Sequence, residues 1–205
     1  MAFEDNVFIN CPLDVDYYVL LKPILFTTIY LRLTPRIAIE RADSGESRIE
    51  KIIELIDESK YAIHDLSRIT ASRVSEVFRL NMPFELGLDI GCRRFGHSHH
   101  ATKRCLILET EQYRYQAAIS DIAGSDIAAH NNKPKRVSEV VRNWFSPICR
   151  PNAAGATQVW NSFLDFTWEN ERILKARGYS NKDIKELSIP ELIQCMTQWV
   201  AGQAR

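Results

Sequence analysis

The chain has 205 residues, 45% of them hydrophobic, enough for one compact domain of roughly 150 residues with a small extra piece. Its 26 basic residues are balanced by 26 acidic ones, so no overall field draws it to nucleic acid or to an anionic membrane. Two acids precede any apolar run at the start, and Lys22 and Pro23 break the most apolar stretch, "YVLLKPILFTTIYL". Neither a signal peptide nor a membrane span is therefore expected, and a cytoplasmic location is. The five cysteines, Cys11, Cys92, Cys105, Cys149 and Cys195, form no CxxC pair and read as reduced, mostly buried thiols.

In chain order, "VFIN" (7–10) is a short apolar run stopped by Pro12. Asp14 then stands as an N-cap before a helix that starts near Val15. "PRIAIE" (35–40) is a second strand candidate. In "ESRIEKIIELIDES", Ile49, Ile52, Ile53 and Ile56 recur at i, i+3, i+4 and i+7, the stripe of an amphipathic helix. "YAIHDLS" (61–67) predicts a third strand, "FELGLDIGCRRF" (84–95) a helix, and "KRCLILE" (103–109) a nearly continuous apolar strand of the kind covered on both faces. "YRYQAAIS" (113–120) is a fifth strand or a loop, and "PKRVSEVVRNWF" a helix opening at Pro134. A Pro/Gly/Ala-rich break from Pro147 precedes two stretches of helical spacing, 159–179 and 181–200. The alternation predicts a parallel sheet with helices on both faces and right-handed crossovers. The small helical appendage covers 148–205.

Ligands of such sheets gather at the carboxyl ends of the strands. That rim receives "NCPLD", "ERADS" and "HDLSR", and Glu85 enters it from the following helix. Apolar neighbours Phe84, Leu86 and Leu88 would raise its carboxyl pKa and suit it to nucleophilic or acid/base work, whereas a first-turn glutamate merely stabilises a helix dipole. Asp65 and Ser67 can hold ribose hydroxyls or cap the next segment. Asn10, Asp14 and the amides opening helix one can cradle a phosphate, although Asp14 would repel it and so only caps. Arg41, Arg48, Arg68 and Arg73 flank the rim as candidate phosphate contacts or as ordinary solvated cations. Cys11 lacks the arginine-closed loop of a cysteine phosphatase. His97, His99 and His100 lack an acid or cysteine neighbour in sequence, so no metal is expected. Neither GxGxxG nor GxxxxGK[ST] occurs.

Taken together, "VFINCPLD", "SKYAIHDLS", "NMPFELGLDIG", "KRCLILE" and "SDIAGSDIAAH...VRNWF" resemble, over roughly residues 6–145, the nucleoside 2-deoxyribosyltransferase-like and TIR-like group of bacterial proteins. The resemblance implies a flavodoxin-like three-layer α/β domain over 1–147, with a mainly parallel sheet of about five strands. "FELGLD" is similar to the segment that carries the transferases' nucleophile, which makes Glu85 the catalytic residue. Asn10, Cys11, Pro12, Asp65, Ser67 and Asn81 then bind substrate, and Arg41 and Arg68 contact phosphate. Gly-Thr before Glu85 and a tyrosine on the first strand are absent, which counts against transfer between bases. The expected activity is hydrolysis of an N-glycosidic bond in a nucleotide or in NAD, with no cofactor. The partners expected are the nucleotide and further copies of the chain, with no membrane and no nucleic acid. The alternative is a non-catalytic nucleotide sensor or interaction module, whose tail aromatics Trp160, Phe163, Phe166 and Trp168 dock a partner. "SDIAGSDIAAH", with Asp121, Asp126 and His130, is a substrate-covering loop or an irregular connection.

Overall fold

A computed structural model describes residues 3–41, 43–68, 80–117, 119–122 and 124–203. Five strands, β1 (Asn6–Asn10), β2 (Thr34–Arg36), β3 (Tyr61–Asp65), β4 (Arg104–Glu109) and β5 (Ile127–Ala129), form one sheet in the order β2-β1-β3-β4-β5. Every pairing is parallel. β1 and β3 are buried along their whole length, as is the second half of β4, which explains why their sequences run apolar without alternation. Successive side chains still serve opposite layers. Val7, Ile9, Ile63, Leu106 and Leu108 face one core, while Phe8 and Ala62 face another.

α1 (Tyr18–Tyr30) and α4 (Pro134–Cys149) contribute to the larger core; α2 (Arg48–Asp57) and α3 (Asn81–Phe95) cover the other face. The carboxyl-terminal helices α5 (Ala156–Ala176), α6 (Asn181–Lys185) and α7 (Ile189–Gly202) add a layer outside α1. This explains the composition of α1. Sheet on one side and α5 and α7 on the other bury it nearly all round, and its apolar residues show no stripe. Phe26 of α1 meets Phe163, Phe166 and Trp199 at centroid distances of 5.5, 5.5 and 5.7 Å. The tail is thus continuous with the main core, and of its aromatics Trp168 and Tyr179 are left exposed. Among the described residues no helix is long and apolar enough to cross a membrane.

Several boundaries differ from the sequence expectation. The second strand ends at Arg36, because the Glu40 carboxylate accepts from Ile37 N at 3.0 Å and from Arg36 Nε at 2.8 Å, pulling 38–40 into a 3-10 turn. α1 begins at Tyr18 after a 3-10 turn over Val15–Tyr17, with the Asp14 side chain accepting from Tyr17 N. α3 opens at Asn81 and takes Pro83 into its first turn, where no intrahelical donor is needed. In the 113–120 stretch, open in sequence to a fifth strand or a loop, Arg114–Ala117 and Ser120–Ile122 form 3-10 turns, and the fifth strand falls at Ile127–Ala129, inside the segment read as a covering loop or an irregular connection. All five cysteines are free, but only Cys11 is fully buried.

Candidate functional site

The chain moves from β1 to β2 on one side and from β3 to β4 on the other, which makes the carboxyl ends of β1 and β3 the topological switch point of the sheet. The register sets Asn10 opposite His64 and Asp65 opposite Leu108, bringing Asn10, Cys11, Asp65 and Ser67 to one edge.

Glu85 belongs to the second turn of α3, beyond the free amides of the helix start, so the first-turn dipole role open to it in sequence does not apply. It is 5% exposed, between buried Met82, Leu86 and Asp89 on its own helix. Burial pushes its carboxyl up to about 7, against the opposing field of Arg48 at the start of α2. Burial, then the charges of Asp65, Glu85 and Asp14, hold the neighbouring Cys11 thiol well above its ordinary range. A thiol so placed is protonated and inert, in keeping with the rejected phosphatase reading.

Asp65 is the opposite case. It is fully buried, and desolvation alone would raise its pKa. The nearby His130, the Ser67 amide (2.8 Å) and the Tyr17 hydroxyl outweigh that cost and hold the carboxyl below the ordinary range. Tyr17 stays a phenol, raised by burial and by the Asp65 charge. His130 Nε2 lies 3.1 Å from Asp65 Oδ2, close but off line for a full hydrogen bond. Its other nitrogen, Nδ1, accepts from Asn132 N at 3.0 Å. That contact requires Asn131 and Asn132 both to adopt positive φ, 53° and 52°, a conformation asparagine tolerates better than most residues. "HNN" therefore ends β5 in a turn that aims a ring N–H at Asp65. Two carboxylates on one rim are thus pushed apart, Asp65 held ionised and Glu85 left to titrate near neutrality.

Asn10 is 3% exposed; its Nδ2 donates to His64 Nδ1 and to the Met82 carbonyl, both at 2.9 Å, tying the end of β1 to the first turn of α3. Its Oδ1 is buried with no hydrogen-bond partner among the described residues. At the end of β4, Glu109 is fully buried and takes Arg114 through Nε (3.1 Å) and an Nη (2.6 Å), while Arg114 also donates to the Ser67 carbonyl.

Of the remaining expected residues, Pro12 is buried beside Cys11 and Asn81 is exposed at the head of α3. Arg68 reaches Asp14 at 3.5 Å across the rim. Arg41 is taken up by Glu46 and Glu54, and Arg36 by Glu40 and Glu58. Arg36 and Arg41, each held by these carboxylates, line a groove of about 1050 Å³ along the β2 edge. Arg73 lies outside the described residues. Tyr17, Glu109 and Arg114 were not singled out by sequence; for Glu109 the signal was its place as the last residue of "CLILE".

The fold also brings an acid and a cysteine to one of the three histidines, since Asp57, Cys92 and His100 place their ligand atoms within 4.8 Å of one another. Yet His100 Nδ1 accepts the His97 amide at 2.9 Å, which leaves the ring proton on Nε2, 3.2 Å from Asp57 Oδ1. The nitrogen that would face a metal carries a proton, and the contact ties the turn after α3 to the end of α2. No family model, curated protein or solved structure matches this chain.

Proposed function

We propose that the protein hydrolyses the N-glycosidic bond of a nucleotide or NAD-type substrate, with Glu85 as the catalytic carboxylate. The observation that carries this reading is a buried carboxyl, set in apolar surroundings and titrating near 7, at the sheet's switch point beside an ionised Asp65. Breaking the C1′–N bond sends its electron pair to the base and leaves oxocarbenium-like charge on the sugar. An ionised Glu85 stabilises that charge or bonds to C1′, and water then supplies the hydroxyl that completes hydrolysis; the proton that water gives up goes to the departing base of a nucleoside or nucleotide, and to Glu85 or solvent where the leaving group is neutral nicotinamide. The low-dielectric setting that raises the pKa of Glu85 also strengthens its field on a developing cation. Asn10 Oδ1 supports the reading from the binding side, as a buried acceptor suited to a sugar hydroxyl.

The test is to incubate wild type and Glu85→Gln with NAD, NADP, nucleosides and deoxynucleotides and to follow free base by chromatography. The expected outcome is release by wild type, falling about 100-fold or more in Glu85→Gln with folding intact. Ligand-dependent thermal stabilisation without product, unaffected by the substitution, would instead support the sensor.

A further inference from the structure

Beneath the site a chain of buried polar groups runs up to Asn10, and the proposed chemistry uses none of its other members. Lys103, 2% exposed, donates to the carbonyls of Ile56 (2.6 Å) and Ser59, and its ammonium stands 3.1 Å from Asp89 Oδ1. Asp89 Oδ2 is 3.1 Å from His64 Nε2, and His64 Nδ1 is 2.9 Å from Asn10 Nδ2. None of the four residues exceeds 3% exposure. Asp89 lies four residues after Glu85, on the same inward face of α3.

A buried ion pair is a poor source of stability, and its best-attested use is to fix a register or an orientation. Here the orientation can be followed atom by atom. The ammonium only donates and the carboxylate only accepts, so the His64 nitrogen facing Asp89 carries the ring proton. In the neutral ring Nδ1 is then a lone pair, which requires the amino side of Asn10. The other end gives the same answer independently. The Met82 carbonyl, 2.9 Å from the same Asn10 nitrogen, can only accept, so that nitrogen is the NH2 group and His64 Nδ1 must accept from it. Both constraints leave Asn10 Oδ1, like Asp89 Oδ1 beside the Lys103 ammonium, buried with no hydrogen-bond donor among the described residues.

We propose that Lys103, Asp89 and His64 are positioning residues that lock Asn10 with its carbonyl oxygen presented to the ligand, making Asn10 a specificity determinant that demands a hydrogen-bond donor, such as a sugar hydroxyl. The identity of the ligand rests on the nucleotide reading above; the polarity of Asn10 does not.

The experiment therefore has two arms. In the first, long-range 1H–15N spectra of the unliganded wild type at pH 7.5 assign the His64 tautomer. The expected result is a protonated Nε2 with an unprotonated Nδ1. Asn10→Ala, in which Asp89 alone orients the ring, keeps that tautomer, and Asn10→Ala/Asp89→Asn loses the fixed preference. A proton on Nδ1 in wild type, alone or on both nitrogens, overturns the proposal, as does an unchanged tautomer in the double variant. If the double variant does not fold, the wild-type and Asn10→Ala spectra decide.

The second arm measures binding of adenosine, 2′-deoxyadenosine and 3′-deoxyadenosine to Glu85→Gln by calorimetry, with and without Asn10→Ala. The expected result is one deoxy analogue binding about 10-fold more weakly than adenosine, a difference abolished by Asn10→Ala. Equal binding of all three in both proteins overturns the specificity role. Failure of every adenosine compound to bind, with the tautomer as expected, counts against the nucleotide reading and leaves the polarity of Asn10 standing.

Discussion

Glu85 is a residue whose setting costs stability. Its folded pKa of about 7 lies above the ordinary 4.5, so the folded state holds the proton more tightly than the unfolded chain does. The stability linked to that proton is fully present below about pH 4.5 and is lost as the pH rises through 7. By linkage the loss approaches about 3 kcal/mol. Glu85→Gln carries no such term. Urea unfolding at pH 5 and at pH 8 should show the variant gaining on wild type by that order across the interval; an equal pH response in both proteins would contradict the burial of a charge at this position. Asp65 has the opposite sign. Its lowered pKa contributes stability above the ordinary value of 3.8 that disappears as the pH falls below it. Removing the hydroxyl that holds this carboxylate, in Tyr17→Phe, should cost about 1–3 kcal/mol in thermal or chemical unfolding. At this scale the sequence pointed to Glu85 through three apolar neighbours, of which Leu86 is buried, Leu88 partly buried and Phe84 exposed, and to Asp65 through its place at the end of a strand. Tyr17 and Arg114 were illegible, because their partners are 48 and 5 residues distant and depend on how turns fold back over the rim.

At the scale of elements, α3 is held at both ends. Asn10 fastens its first turn and Gly96 closes its last, where a Cβ would stand 2.5 Å from the Cys92 carbonyl oxygen and from His100 Nδ1. Neither the helix backbone nor the packed His100 ring yields easily. Gly96→Ala should therefore lower stability by about 1–3 kcal/mol in urea unfolding, and Gly91→Ala, which meets open space, should not destabilise. The helices and the three central strands were readable because their periodicities are long or their apolar runs unbroken. β2 was placed but carried too far past Arg36, and β5 was not located, each being three residues long. A side chain reaching back from Glu40 decides where β2 stops. β5 is defined by a ladder to Ile107–Glu109 that no local pattern announces.

For the whole molecule, alternation of strands and helices was sufficient to anticipate a parallel three-layer sheet, since right-handed crossovers leave few other arrangements. The role of the tail was less legible, because its aromatics at helical spacing suit a partner's surface as well as the chain's own core. The structure assigns Phe163 and Phe166 to the core over α1. Phe166→Ala should accordingly cost about 3–5 kcal/mol, read as a fall in the urea midpoint without change in slope. A neutral result would mean that α5 is not part of the cooperative unit. The central claim, that a desolvated Glu85 carboxylate acts on a nucleotide, is tested most directly by the rate of base release between pH 5 and 9 in wild type and Glu85→Gln. The rate should rise to a plateau with its midpoint near 7, following ionisation of Glu85, and should be lost in the variant. A pH-independent rate, or release by Glu85→Gln at the wild-type level, would contradict the claim.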